Sequence, residues 1–134
     1  MTAYTLGLGC DRGTALDTLR DAVQAALALG GVRADQVALA ASITLKMDEA
    51  ALLALAVEQG WPVRFYTPQE LAAVAVPNPS ETVRRHTGTP SVSAAAALLA
   101  AGPGTPATAL LVEKHIHRGA DGRNATVSIA RKSQ

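Results

Sequence analysis

The punctuation of this chain constrains it most: short apolar runs alternate with segments of helical period, and glycine closes the helical segments. Tyr4 to Leu8 alternates into a glycine pair, and Leu16, Leu19, Val23, Ala26 and Leu27 then recur at helical spacing until Gly30-Gly31. Thr14 and Asp17 have the spacing of a capping box for that helix. Val37 to Ala41 reads as a buried strand, and Asp48 as the N-cap of a helix from Glu49 to Gln59 that Gly60 ends. Val63 to Tyr66 has strand composition. Thr67-Pro68-Gln69-Glu70 combines an N-cap, a proline suited to the first helical position and a capping-box glutamate, opening a short helix through about Ala73.

The middle of the chain is a stiff elbow, because Val76-Pro77-Asn78-Pro79-Ser80 has two fixed φ angles and extended geometry before each proline. Ser80 is the expected cap of a short helix through Arg85 or His86 that Gly88 ends, and Ser91 of a longer one to Ala101, stopped by Gly102-Pro103-Gly104. Ala109 to Glu113 and Ala125 to Ala130 read as strands joined through Arg118–Gly122, where Asp121-Gly122 signals a turn. The expected class is therefore α/β: one layered domain over residues 1–134, with a mixed, mostly parallel sheet flanked by helices and a C-terminal antiparallel hairpin.

Composition narrows the function. Lys+Arg 12 against Asp+Glu 11 gives a net charge of +1, too weak a field for duplex nucleic acid. No apolar stretch reaches the roughly 18 residues a membrane span requires, and no basic segment with an apolar core opens the chain, so a cytoplasmic protein is expected. A single cysteine, Cys10, leaves stability to burial.

Ligands in open α/β sheets gather beyond the carboxyl ends of strands, here the loops after Leu8, Ala41 and Tyr66. Gly7, Gly9 and Gly13 lie between a strand and a helix start, where backbone N–H groups and the helix dipole favour an anion; a tight turn alone would need the same glycines. Neither a Walker loop nor a dinucleotide fingerprint is present. Cys10 beside Arg12 has the setting of a lowered thiol pKa, but no histidine is near it in sequence and the reading taken is an unreactive thiol. Lys46 and Lys114 follow or end strands and are the candidate cations for an acidic ligand. His115-x-His117 shares one side of a strand, yet two ligands do not make a metal site, and His86 alone is weaker; no metal or cofactor is expected. Asn78, Ser80 and Ser91 are polar groups on pre-ordered backbone, suited to contact a ligand or to cap helices.

Taken together, Gly-Leu-Gly-Cys-Asp-Arg-Gly (7 to 13), Leu-Lys-Met-Asp-Glu (45 to 49), Val-Pro-Asn-Pro-Ser-Glu-Thr-Val (76 to 83) and Gly-Thr-Pro-Ser-Val (88 to 92) resemble the cobalamin-biosynthesis family that holds CobE and the C-terminal domain of CbiG. The resemblance runs from Gly7 to the Ala-Thr-Val-Ser-Ile-Ala-Arg segment at 125 to 131. It implies a precorrin or other corrinoid intermediate as ligand, with Gly7, Gly9, Cys10, Arg12, Lys46, Asn78, Ser80 and Ser91 as family motif positions. Gly13 and Lys114 join them from the residue-level reading. CbiG-type proteins open a lactone on a cobalt-precorrin and release acetaldehyde, but carry N-terminal sequence absent from these 134 residues; the stand-alone form looks like CobE and the aerobic route. Ala94 stands where an acidic residue is expected in relatives, so a step needing a carboxylate there is excluded. Two alternatives accompany the binding role: a lactone hydrolase with water activated by His115 or Glu81, and a non-catalytic subunit that docks a corrin-pathway enzyme through the Ala-rich helix 91 to 101.

Overall fold

The computed structural model describes residues 2–132, so the expected unit 1–134 includes Met1, Ser133 and Gln134, which lie outside the described residues. The strands are β1 (Tyr4–Cys10), β2 (Val37–Ile43), β3 (Val63–Tyr66), β4 (Leu110–Arg118) and β5 (Asn124–Arg131). Helices α1 (Leu16–Gly30), α2 (Ala50–Gln59) and α3 (Pro68–Ala72) alternate with the first three strands, and α4 (Glu81–Thr87) and α5 (Ser93–Ala101) precede the terminal hairpin. Three single 3-10 turns, Ala34–Gln36, Thr44–Lys46 and Ala107–Ala109, complete the description. The sheet runs β3-β2-β1-β5-β4, with β1, β2 and β3 parallel and β5 antiparallel to both its neighbours. This is the expected mixed sheet with its antiparallel hairpin at one edge.

Period two along the strands splits the core into two layers. Leu6, Leu8, Val127 and Ile129 pack with Leu19, Val23 and Leu27 of α1 and with Leu52 and Leu55 of α2. On the opposite face Leu39, Ala41 and Ile43 pack against Ala95, Ala96 and Ala100 of α5 and Leu71 of α3. The α5 helix lies so close to the sheet that Thr5 Oγ1 donates to the Ala97 carbonyl at 2.7 Å. Alanines let it approach, and as a result Ala94 to Leu98, Ala100 and Ala101 are all buried. The Ala-rich face expected to dock a partner enzyme is spent inside the fold.

Local signals stopped the helices where expected: Gly31, Gly60 and Gly88 take left-handed C-terminal caps at φ 65, 73 and 82°. The Thr67 capping box and the Ser80 cap also form, Ser80 Oγ accepting from Val83 N at 3.2 Å. Three N-terminal expectations fail. Thr14 turns its hydroxyl to the Asp11 carbonyl at 2.6 Å, leaving Ala15 as N-cap of α1. Glu49, not Asp48, is the N-cap of α2, without a side-chain bond. Val92 is the N-cap of α5, although Ser91 Oγ still accepts from Ala95 N at 3.3 Å. The strands of the hairpin are also longer than their apolar cores suggested, because ladder pairing carries Lys114 to Arg118 along with β5.

The cap missing from α1 arrives from the far end of the chain. Asp121, in the β4-β5 turn, accepts from Ala15 N at 2.9 Å and from Thr18 Oγ1 at 3.3 Å. The backbone N–H groups of Ala15 and Arg123, the latter donating to Asp121 Oδ1 at 3.0 Å, hold its carboxyl below the usual carboxylate range. A lowered folded-state pKa contributes stability above the unfolded carboxylate value and loses it as pH falls through the folded one. Asp121→Ala is therefore expected to lower the melting temperature at neutral pH, with the difference from wild type closing in strong acid; scanning calorimetry along a pH series checks it.

Candidate functional site

An open cleft of about 800 Å³ lies over the carboxyl ends of β1 and β2 and reaches across β5 to β4. It forms there because β1 and β2 run parallel and end together, while β5 starts beside the end of β1: Gly9 pairs with Thr126 and Cys10 with Ala125. Its floor includes Gly9, Cys10 and Thr126, and Lys46 enters from the 3-10 turn after β2. Lys114 comes from β4, two strands from β1, and strand alternation puts Ile116 on the same side. The roof is α4, which turns Thr82, Val83, His86 and Thr87 inward at helical spacing. Thus the loops after β1 and β2 border the cleft as expected, whereas α4 takes the place assigned to the loop after Tyr66.

Of the sequence candidates, Gly9, Cys10, Arg12, Lys46, Ser80 and Lys114 line this cleft, and Gly7, Gly13, Asn78 and Ser91 do not. Gly7 is the point where α5 crosses the sheet, and a β carbon there would run into the Ser93 carbonyl. Gly13 takes φ 78° and donates its N–H to Glu49 Oε2 at 3.1 Å. Asn78 Nδ2 donates to Glu113 Oε2 at 2.6 Å, pinning the proline elbow to β4. Ser91 is buried at the start of α5. His115 and His117 face the α1 side of the sheet, where His117 Nε2 is 4.0 Å from Asp21 Oδ2. Neither His115 nor Glu81 lines the cleft, and Glu81 pairs instead with Arg84 at 3.2 Å.

Four N–H groups in and just after the glycine loop are bonded within the chain. Asp11 N donates to the Asn124 carbonyl at 3.0 Å, Thr14 N to the Asp11 carbonyl at 3.2 Å, and Gly13 and Ala15 to Glu49 and Asp121. Two of these acceptors, Glu49 and Asp121, are carboxylates of this chain, each taking one N–H at or just before the start of α1. Arg12 is engaged as well: its guanidinium donates to Asp48 Oδ1 at 2.8 Å and the Leu45 carbonyl at 2.7 Å, and is 3.3 Å from Glu49 Oε1. The bond to Arg12 holds the Asp48 carboxyl below its usual range. Arg12 and Glu49 thus clamp the β1-α1 and β2-α2 loops together at the cleft's edge. That leaves Lys46 and Lys114 as the cleft's lysines, and no hydrogen bond or ion pair among the described residues occupies either ammonium.

A family model described as "Cobalamin synthesis G C-terminus" matches residues 4–130, which include every strand except the last residue of β5. The chain belongs to that family. Among curated relatives of this family member, "Protein CobE" from Sinorhizobium sp is 39% identical over 99 residues, covering 72% of the chain and 64% of that protein. "Cobalt-precorrin-5A hydrolase" from Priestia megaterium is 37% identical over 100 residues, 75% of the chain but 27% of that protein. The chain therefore spans about a quarter of the hydrolase's length and just under two thirds of that CobE. The crystal structure of CobE, described as a protein from the cobalamin (vitamin B12) biosynthetic pathway, superposes with a TM-score of 0.80 at 33% identity, covering 97% of this chain and 90% of that one. Cobalamin biosynthesis protein chiG from Agrobacterium tumefaciens gives a TM-score of 0.70 at 33% identity, covering 98% and 100%. Among the described residues no helix is long and apolar enough to cross a membrane.

Within this family frame one feature carried no prior expectation. Glu49, expected only as the first residue of α2, is 5% exposed and ties Gly13 to Arg12; the acidic pair after Lys46 in the motif at 45 to 49 is the sequence signal for it. The Cys10 thiol agrees with the unreactive reading: its pKa is raised, burial outweighing the nearby Lys46. Alkylation of Cys10 by iodoacetamide is expected to be several-fold slower at pH 8 than that of a cysteine in an unfolded peptide. Its rate is expected to reach half-maximum at a higher pH than the free thiol's. A profile matching the unfolded peptide would show an unburied thiol.

Proposed function

We propose that the chain binds a carboxylate-edged corrin precursor in the cleft between the strand ends and α4, as a CobE-like component of cobalamin biosynthesis. A corrin precursor is a broad apolar disc with acidic side chains around its edge. Such a ligand calls for aliphatic surface to cover the ring and separated cations to meet the carboxylates. The observation that carries the reading is the convergence of Lys46 and Lys114, from distant strands, on one cleft whose walls hold Ile43, Leu45, Val83, Val92 and Ile116. Leu45 and Ile116 are 46% and 58% exposed, an open apolar rim that a disc would cover. With one Trp, two Tyr and one Phe in the chain, and none of them lining the cleft, recognition rests on aliphatic contact and ion pairing rather than stacking. The hydroxyls of Ser80, Thr82 and Thr126 offer further donors to carboxylates.

Binding is favoured over lactone opening because neither base considered for that chemistry, His115 or Glu81, borders the cleft. Titration of the purified chain with cobyrinic acid, followed in the visible spectrum, is expected to give a saturable change in the micromolar range. An unchanged spectrum at millimolar ligand would refute the reading. Release of acetaldehyde from a lactone-bearing cobalt-precorrin by this chain alone would move the assignment to hydrolysis.

A further inference from the structure

His86 is the imidazole in the cleft lining, and binding of ring carboxylates gives it no task. It stands in the last turn of α4, one turn after Val83 and Thr82, so the face that carries it is the face that roofs the cleft. The other face of α4 carries the Glu81–Arg84 ion pair. Neither nitrogen of His86 is taken up by a hydrogen bond or ion pair among the described residues. By contrast, His115 Nε2 is buried without a partner away from the cleft, and His117 faces Asp21.

We infer that His86 supplies an axial nitrogen ligand to the central metal ion of a macrocycle bound in the cleft, so that the site favours a metal-bearing ring over its metal-free counterpart. The inference rests on the reading of the cleft as a corrinoid site. A macrocycle occupies the equatorial positions of its metal and leaves the two perpendicular to the ring open, where a side chain projecting from a covering wall is placed to reach. Edge carboxylates held by Lys46 and Lys114 would seat the ring in the cleft that α4 covers. Imidazole nitrogen suits first-row metals and binds in its neutral form without losing a proton. The other soft donor in the lining, Cys10, must ionise first, and its burial opposes that. No residue of α4 is buried, so the helix can settle to the metal–nitrogen distance without disturbing the core.

Electron paramagnetic resonance of the full chain loaded with reduced, cobalt(II) cobyrinic acid tests this directly, because an axial nitrogen splits the cobalt signal into superhyperfine triplets. Triplets are expected with the wild type and absent with His86→Ala, and free imidazole added to the variant should restore them. Wild-type affinity is expected to be about tenfold higher for cobyrinic acid than for its cobalt-free counterpart, about 1.4 kcal/mol, and nearly equal for the two in the variant. Binding without nitrogen splitting, or splitting that persists in His86→Ala, overturns the inference and leaves the corrinoid reading standing. Absence of any binding overturns both.

Discussion

Gly7→Ala is expected to destabilise the protein by about 3 kcal/mol or more, at the upper end of what overpacking costs. A β carbon at Gly7 would overlap the Ser93 carbonyl and lie 2.8 Å from Ala97 N, both of them backbone atoms of α5. A flexible side chain could rotate away, but a helix backbone can only lift off the sheet. Lifting α5 would break the bond from Thr5 Oγ1 to the Ala97 carbonyl and open the layer formed by Leu39, Ala41 and Ile43. Such a loss is a large share of the roughly 5–15 kcal/mol that holds a typical domain together. The matched control is Gly9→Ala, whose β carbon would meet Val92 Cγ1 at an ordinary 3.6 Å. That variant is expected to stay within about 1 kcal/mol of wild type. Urea unfolding of the three proteins measures the difference, and equal midpoints for Gly7→Ala and wild type would mean that α5 does not rest on β1.

The second large effect concerns ligand affinity. Replacing either Lys46 or Lys114 by alanine is expected to weaken cobyrinic acid binding about tenfold, near the lower end of the value of a hydrogen bond to a charged group, because both side chains are only half-buried. They come from opposite flanks of β1 and share no partner, so their effects should add to about a hundredfold in the double variant. Added salt is expected to weaken the wild type more than the double variant, since screening acts on the pairs that were removed. Arginine at either position should retain most of the affinity. A double alanine variant that binds like the wild type would remove the ionic basis of the proposed site.

Much of the fold could be read from local features. β3 forms at the predicted residues, the Thr67-Pro68-Gln69-Glu70 box caps α3, and Gly31, Gly60 and Gly88 end their helices, because each depends on neighbours within a turn of the chain. The errors fall where a distant group competes. Thr14 does not cap α1 because Asp121 reaches Ala15 N from 106 positions away. The period-two pattern of β4 could have grouped Lys114 with Ile116 and set His115 and His117 on the other face, since that alternation is local.

Apolar periodicity, glycine and proline punctuation and four ordered motifs are enough to give the elements, their order and the family. Which motif residues meet depends on the folded chain. The order β3-β2-β1-β5-β4 brings Lys46 and Lys114 to one cleft, seats α5 on Gly7, and swings α4 with His86 over the strand ends. Those placements follow from the pairing of strands and the packing of helices far apart in the chain, which residue spacing along one segment does not encode.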